Sequence, residues 1–318
     1  MWIYAARRVL YAIPIALGVS IVCFCLVYLA PGDPIQSLLP PDATAEDAEL
    51  IRRLYGLDKP LPLQYVDWLL RVVQGDLGTS LQTSRPVADE VFRALSNTLS
   101  LAVGAVLIAF VIAFTLGTLA AFNRGKLVDR VATALSAVGV SIPNYWLAIV
   151  MVIVFAVTWR VLPATGMGAQ GSDNFNWFDW GQVQYAILPM LAMAMVPLGV
   201  VMRSTRSAVA EVLGQDFVQM LRAKGMGSFA IVQHAVRNAL PQILAIMGLQ
   251  LGYLVGGSIL IETIFTWPGT GFLMSKAILT RDIPLLQGTI LVLALSFVAI
   301  NLIVDILQTV VDPRVKRA

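Results

Sequence analysis

The sequence predicts an all-α integral membrane protein with six transmembrane helices and a small helical segment outside the membrane. Of its 318 residues, 58% are hydrophobic and 13% are charged, whereas a soluble domain carries about 25% charged residues. Six apolar runs are long enough to cross a hydrocarbon core of about 30 Å. These runs must be helical, because lipid offers no partner for backbone N–H and C=O groups. The predicted spans are residues 9–30, 98–122, 131–158, 184–202, 240–262 and 286–310.

The first span is expected to stay in the protein as an N-terminal anchor, residues 1–30. Its apolar run is longer than the ~7–15 residues of a cleavable signal peptide, and Pro31-Gly-Asp-Pro34 is not a small-residue cleavage site. Cys23 and Cys25 lie two residues apart in this span and face different directions on a helix. They are interpreted as small apolar residues.

Lysine and arginine cluster at the two termini and in two connecting loops, all of which six spans place on one side of the membrane. The opposite loops hold few basic residues, apart from residues 31–97, a segment too long for loop charge to decide its orientation. The positive-inside rule therefore predicts that both termini, including the tail 312–318, and the loop 203–240 are cytoplasmic.

Residues 31–97 are predicted to form an extracytoplasmic helical segment. Thr44-Ala-Glu-Asp47 resembles a capping box that opens a first helix ending near Gly56, and residues 64–74 follow an amphipathic helical pattern. Two interpretations remain for this segment: a cap that seals the helix bundle, or a docking surface for an external partner.

The loop 203–240, inside the predicted five-helix core 98–311, contains two predicted helices and a glycine break. Residues 206–224 fit one helix, Gly225-Met-Gly227 interrupts it, and a second helix begins at Ser228 and ends at Pro241. The apolar side of the first helix, Phe217, Met220 and Leu221, could enter a groove on another protein. The alternative is an amphipathic helix lying on the bilayer with its basic residues against lipid phosphates.

The fifth span and the segment after it supply candidates for a transport pathway or gate. Glycines recur at four-residue spacing in the span, which suits close helix packing or a passage lining. Residues 262–271 are too apolar for an external loop and too rich in glycine for a helix, so we expect them to enter the bundle. Glu262 is either a functional carboxylate or an exposed interfacial one. The candidates are Gly248, Gly252, Gly256, Glu262, Trp267, Pro268 and Gly269.

Aromatic residues in the loop 160–183 are interpreted as an interfacial belt, with contact to a ligand or partner as the alternative. They are Phe175, Trp177, Phe178 and Trp180.

The sequence lacks motifs for catalysis, metal binding or nucleotide binding. It contains neither a P-loop nor an H-E-x-x-H or G-x-S-x-G motif, and its one histidine, His234, lies in the cytoplasmic loop. Few ionisable residues fall inside the spans, whereas a proton-coupled carrier usually needs a relay of them. The prediction is a protein that is not an enzyme, with no catalytic, cofactor or metal residue, no nucleic-acid partner and no energy source of its own.

Several segments, taken in order, resemble binding-protein-dependent ABC importer permeases, in particular the dipeptide, oligopeptide and nickel branch. The likeness runs from Arg7-Arg8 to Asp312-Pro-Arg314, nearly the whole chain. The pieces that carry it are Pro31-Gly-Asp-Pro34, Gly56-Leu-Asp-Lys-Pro60, Gly75-Asp-Leu-Gly78, Arg203-Ser-Thr-Arg206, Glu211-Val-Leu-Gly214, Ala223-Lys-Gly225, His234-Ala-Val-Arg-Asn-Ala-Leu-Pro241 and Glu262-Thr-Ile-Phe-Thr-Trp-Pro-Gly269. The family signature has Glu-Ala-Ala where this chain has Gln219-Met-Leu221.

The resemblance implies the type I ABC importer permease fold in the bacterial inner membrane and transport of peptides. It also implies a second homologous permease, two ATPase subunits that bind ATP and Mg²⁺, an extracytoplasmic solute-binding protein and surrounding lipid. Alternatives are a permease of this type for nickel chelates or glutathione, or a self-contained secondary carrier or channel.

In such permeases a cytoplasmic loop docks into the ATPase subunit. Here Gly225 would supply the elbow, Arg222 and Lys224 polar contacts, and Pro241 the return into the membrane. The implied coupling residues are Asp216, Phe217, Met220, Leu221, Arg222, Ala223, Lys224, Gly225, His234, Arg237, Asn238 and Pro241.

Overall fold

The apolar runs of the chain are helical in a computed structural model that describes residues 2–29, 44, 46, 58–168, 171, 172 and 174–311. Five helices are long and apolar enough to cross a membrane, and a bent helix pair brings the number to six when it is counted as one span. This confirms the predicted all-α membrane fold. The five are α1 (Trp2–Leu29), α3 (Val87–Phe122), α6 (Trp180–Leu213), α8 (Ser228–Gly257) and α11 (Ile283–Val311).

The third span is a broken helix rather than the single helix predicted for residues 131–158. Helix α4 (Leu127–Ser141) and helix α5 (Asn144–Met151), which continues as a π-helical segment (Val152–Thr158), meet at 95°. Pro143 lies at the break, and the residue before it, Ile142, is extended, as the ring of a following proline favours. Pro14, Pro189 and Pro197 lie inside continuous helices instead.

Two other spans extend well beyond their predicted bounds. Helix α3 begins at Val87 rather than at residue 98. Asp89 and Glu90 lie in its first turn, where their negative charges interact favourably with the positive end of the helix dipole and stabilise the helix. Helix α6 runs from Trp180 to Leu213 rather than over 184–202. The first part of the predicted loop 203–240 is therefore the end of a transmembrane helix.

The spans give the bundle two ends. The elbow end holds the turn at 123–126, the segment 214–227 with its short helix, and the beginning of α1. Near it the Arg8 Nη1 atom lies 2.7 Å from the Asp305 Oδ2 atom, an ion pair between α1 and α11. The far end holds the short helices α2 (Leu61–Val73), α9 (Ile259–Ile264) and α10 (Thr270–Leu279).

Within the predicted external segment, α2 matches the helix expected at residues 64–74 but begins earlier, after Pro60. Pro62 fits the first turn because a helix needs no N–H donors there. The other predicted helix, from Thr44 to Gly56, lies outside the described residues except for residues 44 and 46.

Small residues allow the central helices to approach closely. The buried core where α3 faces α6 includes Ala102, Ala105, Ala109, Ala186 and Ala192. A Cβ atom added to Gly117 would lie 2.7 Å from the Met202 carbonyl oxygen. Such close backbone approach is typical of helix pairs in membranes, where dispersion contacts drive association.

The glycine stripe of α8 has a packing role at two of its three positions. A Cβ atom on Gly248 would lie 2.3 Å from the methyl carbons of Val304 on α11, and one on Gly252 would lie 3.1 Å from the Phe297 ring. Gly256 has open space around it. Two glycines of the stripe therefore allow close packing of α8 against α11, and Gly256 takes no part in that contact.

Replacing Gly248 with valine is expected to lower stability by about 1–3 kcal/mol, the usual cost of overpacking a filled interface. Gly256→Val is the matched control, because the same side chain there meets open space. The midpoint of thermal unfolding in detergent, followed by tryptophan fluorescence, measures both. Val304→Ala should restore part of the loss in Gly248→Val, and equal midpoints for the two glycine variants would contradict the packing assignment.

Candidate functional site

The loop between α6 and α8 folds as a separate short helix rather than as the continuous helix predicted for residues 206–224. Helix α6 ends at Leu213, where Gly214 caps it. Helix α7 (Asp216–Ala223) then forms an independent element. Gly225 follows with φ +75°, a left-handed conformation that glycine adopts without steric cost. The predicted glycine elbow is therefore present, but its first arm is two turns long.

The second arm is longer than predicted. Helix α8 begins at Ser228 and continues through Pro241 to Gly257, so the predicted end at Pro241 is wrong. A proline inside a helix removes one backbone hydrogen bond, and membrane helices tolerate it because neighbouring groups compensate. Pro241 therefore lies inside helix α8 and does not mark a boundary between loop and membrane.

The short helix α7 turns part of its apolar side toward the protein itself. Val218 is fully buried, and Phe217 packs at the edge of the elbow-end core, with Leu221 half-buried. The side chain of Met220 is 51% exposed. The predicted apolar face is thus divided, and only Met220 of its three residues is fully available to a partner.

Phe229, in the first turn of α8, is a further apolar candidate that the sequence analysis did not select. Its side chain is 83% exposed beside the glycine elbow. In the sequence, the signal for this residue was a phenylalanine within a polar stretch. The predicted coupling residues that are exposed on α7, at the glycine turn and on α8 are Asp216, Arg222, Ala223, Lys224, Gly225, His234, Arg237 and Asn238.

An ion pair fastens the elbow end of α6 to α4. The Arg206 Nε and Nη2 atoms donate to the two carboxylate oxygens of Asp129, the second at 2.9 Å, and the Gly125 N–H donates to the same carboxylate at 2.9 Å. Paired donors from one guanidinium give a carboxylate a fixed geometry. Arg206, counted among the loop's basic residues, is therefore engaged within the chain.

At the far end, Glu262 is completely buried, so an exposed interfacial carboxylate is the wrong interpretation. Its Oε1 atom accepts hydrogen bonds from the Ser258 hydroxyl at 2.6 Å and the Thr98 hydroxyl at 2.8 Å. Its Oε2 atom accepts from the backbone N–H groups of Gly271 at 2.7 Å and Phe272 at 3.1 Å. These four donors fill the four lone-pair positions of a carboxylate.

The segment around Glu262 is buried in the protein, as its composition predicts, but it is not wholly non-helical: α9 continues to Ile264 and α10 begins at Thr270. Gly269 lies so close that a Cβ atom on it would be 2.4 Å from Glu262 Oε2 and 2.5 Å from Thr98 Oγ1. Thr270 Oγ1 lies 2.9 Å from Thr98 Oγ1. A glycine at position 269 is required by this close approach, and the carboxylate holds α9, α10 and α3 together.

Trp267 attaches the same segment to α3 through a second contact. Its side chain is fully buried, and the indole Nε1–H donates to the Asn97 carbonyl oxygen at 3.1 Å. The Asn97 side chain in turn donates to the Pro268 carbonyl oxygen at 3.0 Å and accepts from the Phe175 N–H at 3.1 Å. Asn97 and Thr98 were absent from the predicted site, since a polar pair at the start of an apolar run carries no specific pattern.

Phe175 contacts Trp267 at a ring separation of 5.3 Å and packs against the buried core. The interfacial belt therefore does not account for Phe175. Trp177, Phe178 and Trp180 are 46%, 98% and 66% exposed, as belt residues would be.

Six of the seven predicted pathway candidates fall into two groups, and Gly256, with open space around it, belongs to neither. Glu262, Trp267, Pro268 and Gly269 come together in one buried network at the far end. Gly248 and Gly252 lie apart from it, against α11. In the described residues, no group of three or more histidine, cysteine, aspartate and glutamate side chains could hold a metal ion.

Two family models match successive parts of the chain. Residues 113–317 match the binding-protein-dependent transport system inner membrane component, and residues 1–102 match the N-terminal region of the same kind of component.

Curated relatives match over the full length. A dipeptide transport system permease protein of Alkalihalophilus pseudofirmus is 37% identical over 99% of this chain and all of its own length. A putative peptide transport system permease protein of Brucella abortus is 40% identical over 98% of each chain. The dipeptide transport system permease protein of Escherichia coli K12 is 35% identical, also over 98% of each chain.

Glu262→Gln is expected to lower stability by on the order of 3 kcal/mol, because the new amide nitrogen meets donors and leaves buried N–H or O–H groups unpaired. The midpoint of thermal unfolding measures the loss. Ser258→Ala removes one donor and should cost about 1 kcal/mol. Glu211→Gln, at an exposed position, is the matched control, and a fall as large as that of Glu262→Gln would refute the network's role.

Proposed function

Because the chain belongs to the family of binding-protein-dependent transport system inner membrane components, we propose that it is the permease subunit of an ATP-driven importer of di- or oligopeptides. The observation that carries this proposal is the full-length match to relatives named as dipeptide or peptide permeases. A match over both family models covers the anchor helix, the external segment and the core together.

In this proposal the elbow end faces the cytoplasm and both termini lie there. Support comes from the positive-inside rule and from the basic residues in the turn 123–126 and in the segment 214–227. Arg124, Lys126, Arg222 and Lys224 are all outside the buried core. The far end, with the short helices α2, α9 and α10, then faces the extracytoplasmic side.

The elbow would be the contact site for the ATPase subunits. Helix α7 and the first turn of α8 each expose one apolar side chain, Met220 and Phe229, in a stretch that also exposes charged and polar side chains. An apolar centre with a polar rim is the usual composition of a specific protein interface. ATP and Mg²⁺ would bind to those partner subunits, which supply the energy that this chain has no motif to capture.

A second homologous permease would complete the pathway, and an extracytoplasmic binding protein would deliver the peptide. Half of the translocation path would then come from each permease. In alternating access, closure of the ATPases moves the elbow, and the helices respond as packed bodies, since filled interfaces switch between arrangements rather than deform continuously.

Uptake by reconstituted vesicles tests the proposal. The chain is co-purified with its companion subunits, placed in proteoliposomes with the binding protein, and supplied with ATP and a radiolabelled dipeptide. We expect ATP-dependent uptake that unlabelled di- and oligopeptides compete away. Competition by a nickel chelate or glutathione but not by peptides would reject the substrate class, and flux through the chain alone would indicate a self-contained carrier.

Gly225→Val is expected to separate ATP hydrolysis from transport. The φ of +75° costs an L-residue about 1–2 kcal/mol, so the elbow should change its shape and no longer transmit movement. Hydrolysis by the assembled complex should persist while peptide uptake falls. Gly227→Ala is the control two residues away, with an ordinary φ of −65° and open space for a Cβ atom; undiminished uptake by Gly225→Val would remove the elbow assignment.

A further inference from the structure

Helix α2 carries three different faces. The first is half-buried and contains Tyr65, Trp68, Leu69 and Val72. The second is polar, with Asp67 and Arg71 exposed. The third is apolar and uncovered: the exposed fractions are 54% for Leu63, 47% for Val66, 56% for Leu70 and 77% for Val73. Spacings of three and four residues place this last set on one side of a helix.

The buried face of α2 contacts α1 near the far end of that helix. The Tyr65 hydroxyl lies 2.7 Å from the Ser20 hydroxyl. The rings of Tyr65 and Trp68 lie 5.5 Å and 5.8 Å from the ring of Phe24. These contacts fix the position of α2 along α1.

That position lies at membrane depth. Helix α1 continues to Leu29, so at 1.5 Å per residue Phe24 lies about 7–8 Å and Ser20 about 13–14 Å short of its far tip. In the same turns of α1, Ile21 and Val22 are 49% and 60% exposed, as expected of side chains that meet lipid. A helix fastened to Ser20 and Phe24 therefore lies beside the apolar run of α1 and not beyond its tip.

We propose that α2 is an interfacial helix whose apolar face, Leu63, Val66, Leu70 and Val73, rests in the acyl chains of the leaflet at the far end. Its polar edge then lies at head-group level. There Lys59 pairs with Asp67 at 2.6 Å between the Nζ and Oδ2 atoms, and Arg71 faces the phosphates. A helix in the plane of the interface, with a charged edge and an aliphatic face, is a stable arrangement in a bilayer.

This proposal identifies lipid as the partner of a surface that the sequence assigns to sealing the bundle or to docking an external protein. It does not depend on the transported solute or on which compartment the far end faces. Failure of peptide uptake would leave it intact.

Spin-label accessibility tests the proposal in the full chain, reconstituted with its co-purifying subunits in phosphatidylcholine and phosphatidylglycerol vesicles. Nitroxides are attached to single cysteines in a background with Cys23→Ala and Cys25→Ser. The test positions are Leu63→Cys and Leu70→Cys. Arg71→Cys is the matched control, one residue further along the helix on its polar edge, and Val22→Cys is the lipid reference on α1.

We expect labels at positions 63 and 70 to collide with oxygen several times more often than with a polar nickel chelate, as the label at position 22 does. The label at position 71 should show the opposite ratio. Equal access of the nickel chelate to positions 70 and 71 would place α2 in water and overturn the proposal. Low collision rates with both reagents at positions 63 and 70 would show protein on this face, such as an external binding protein, and would also overturn it.

Discussion

The far end of the protein depends on one buried carboxylate. Glu262 accepts four hydrogen bonds from three separate parts of the chain, on α9, α10 and α3. A backbone that leaves the helical conformation at membrane depth is possible only where protein or water satisfies its polar groups. The carboxylate does this for Gly271 and Phe272, and Asn97 does it for Phe175 and Pro268. The connecting residues 265–269 are held by the Asn97 side chain, which donates to the Pro268 carbonyl oxygen, and by local backbone hydrogen bonds such as that from the Trp267 N–H to the Glu262 carbonyl oxygen at 2.8 Å.

The elbow end has the opposite character. Helix α7 has a single fully buried side chain, Val218, and most residues around the glycine turn are exposed. Two ion pairs join neighbouring spans there: Arg206–Asp129 between α6 and α4, and Arg8–Asp305 between α1 and α11. A region with few buried contacts opens or shifts at low free-energy cost. The far end is therefore suited to staying fixed, and the elbow end is suited to moving.

Sequence patterns were sufficient to predict those features of the fold that depend on the composition of a single segment. Apolar length located the spans, glycine at position 225 located the elbow, and the mixture of glycine and apolar residues at 262–271 indicated re-entry. They failed where a partner distant in sequence decides the outcome. No residue near Glu262 in the sequence indicates that Thr98 will donate a hydrogen bond to it. No residue near Phe217 indicates that this side chain will pack against the core of the same chain. Helix boundaries failed for a related reason: Pro241 looks like a terminator, yet helix packing and the membrane environment carry α8 through it to Gly257.

The continuity of α8 links the two ends mechanically. Thirty residues from Ser228 to Gly257 make a rod of about 45 Å. One tip of the rod adjoins the Gly225 elbow, and the other is followed directly by Ser258, which donates to Glu262. Along the way Gly248 and Gly252 seat the rod against Val304 and Phe297 of α11. In the proposed importer, force applied at α7 would act on one arm of this rod while its other tip stays anchored to the carboxylate network. The glycine contacts with α11 are then the natural place for the rod to tilt, because small residues let two helices shift against each other without unpacking a large side chain.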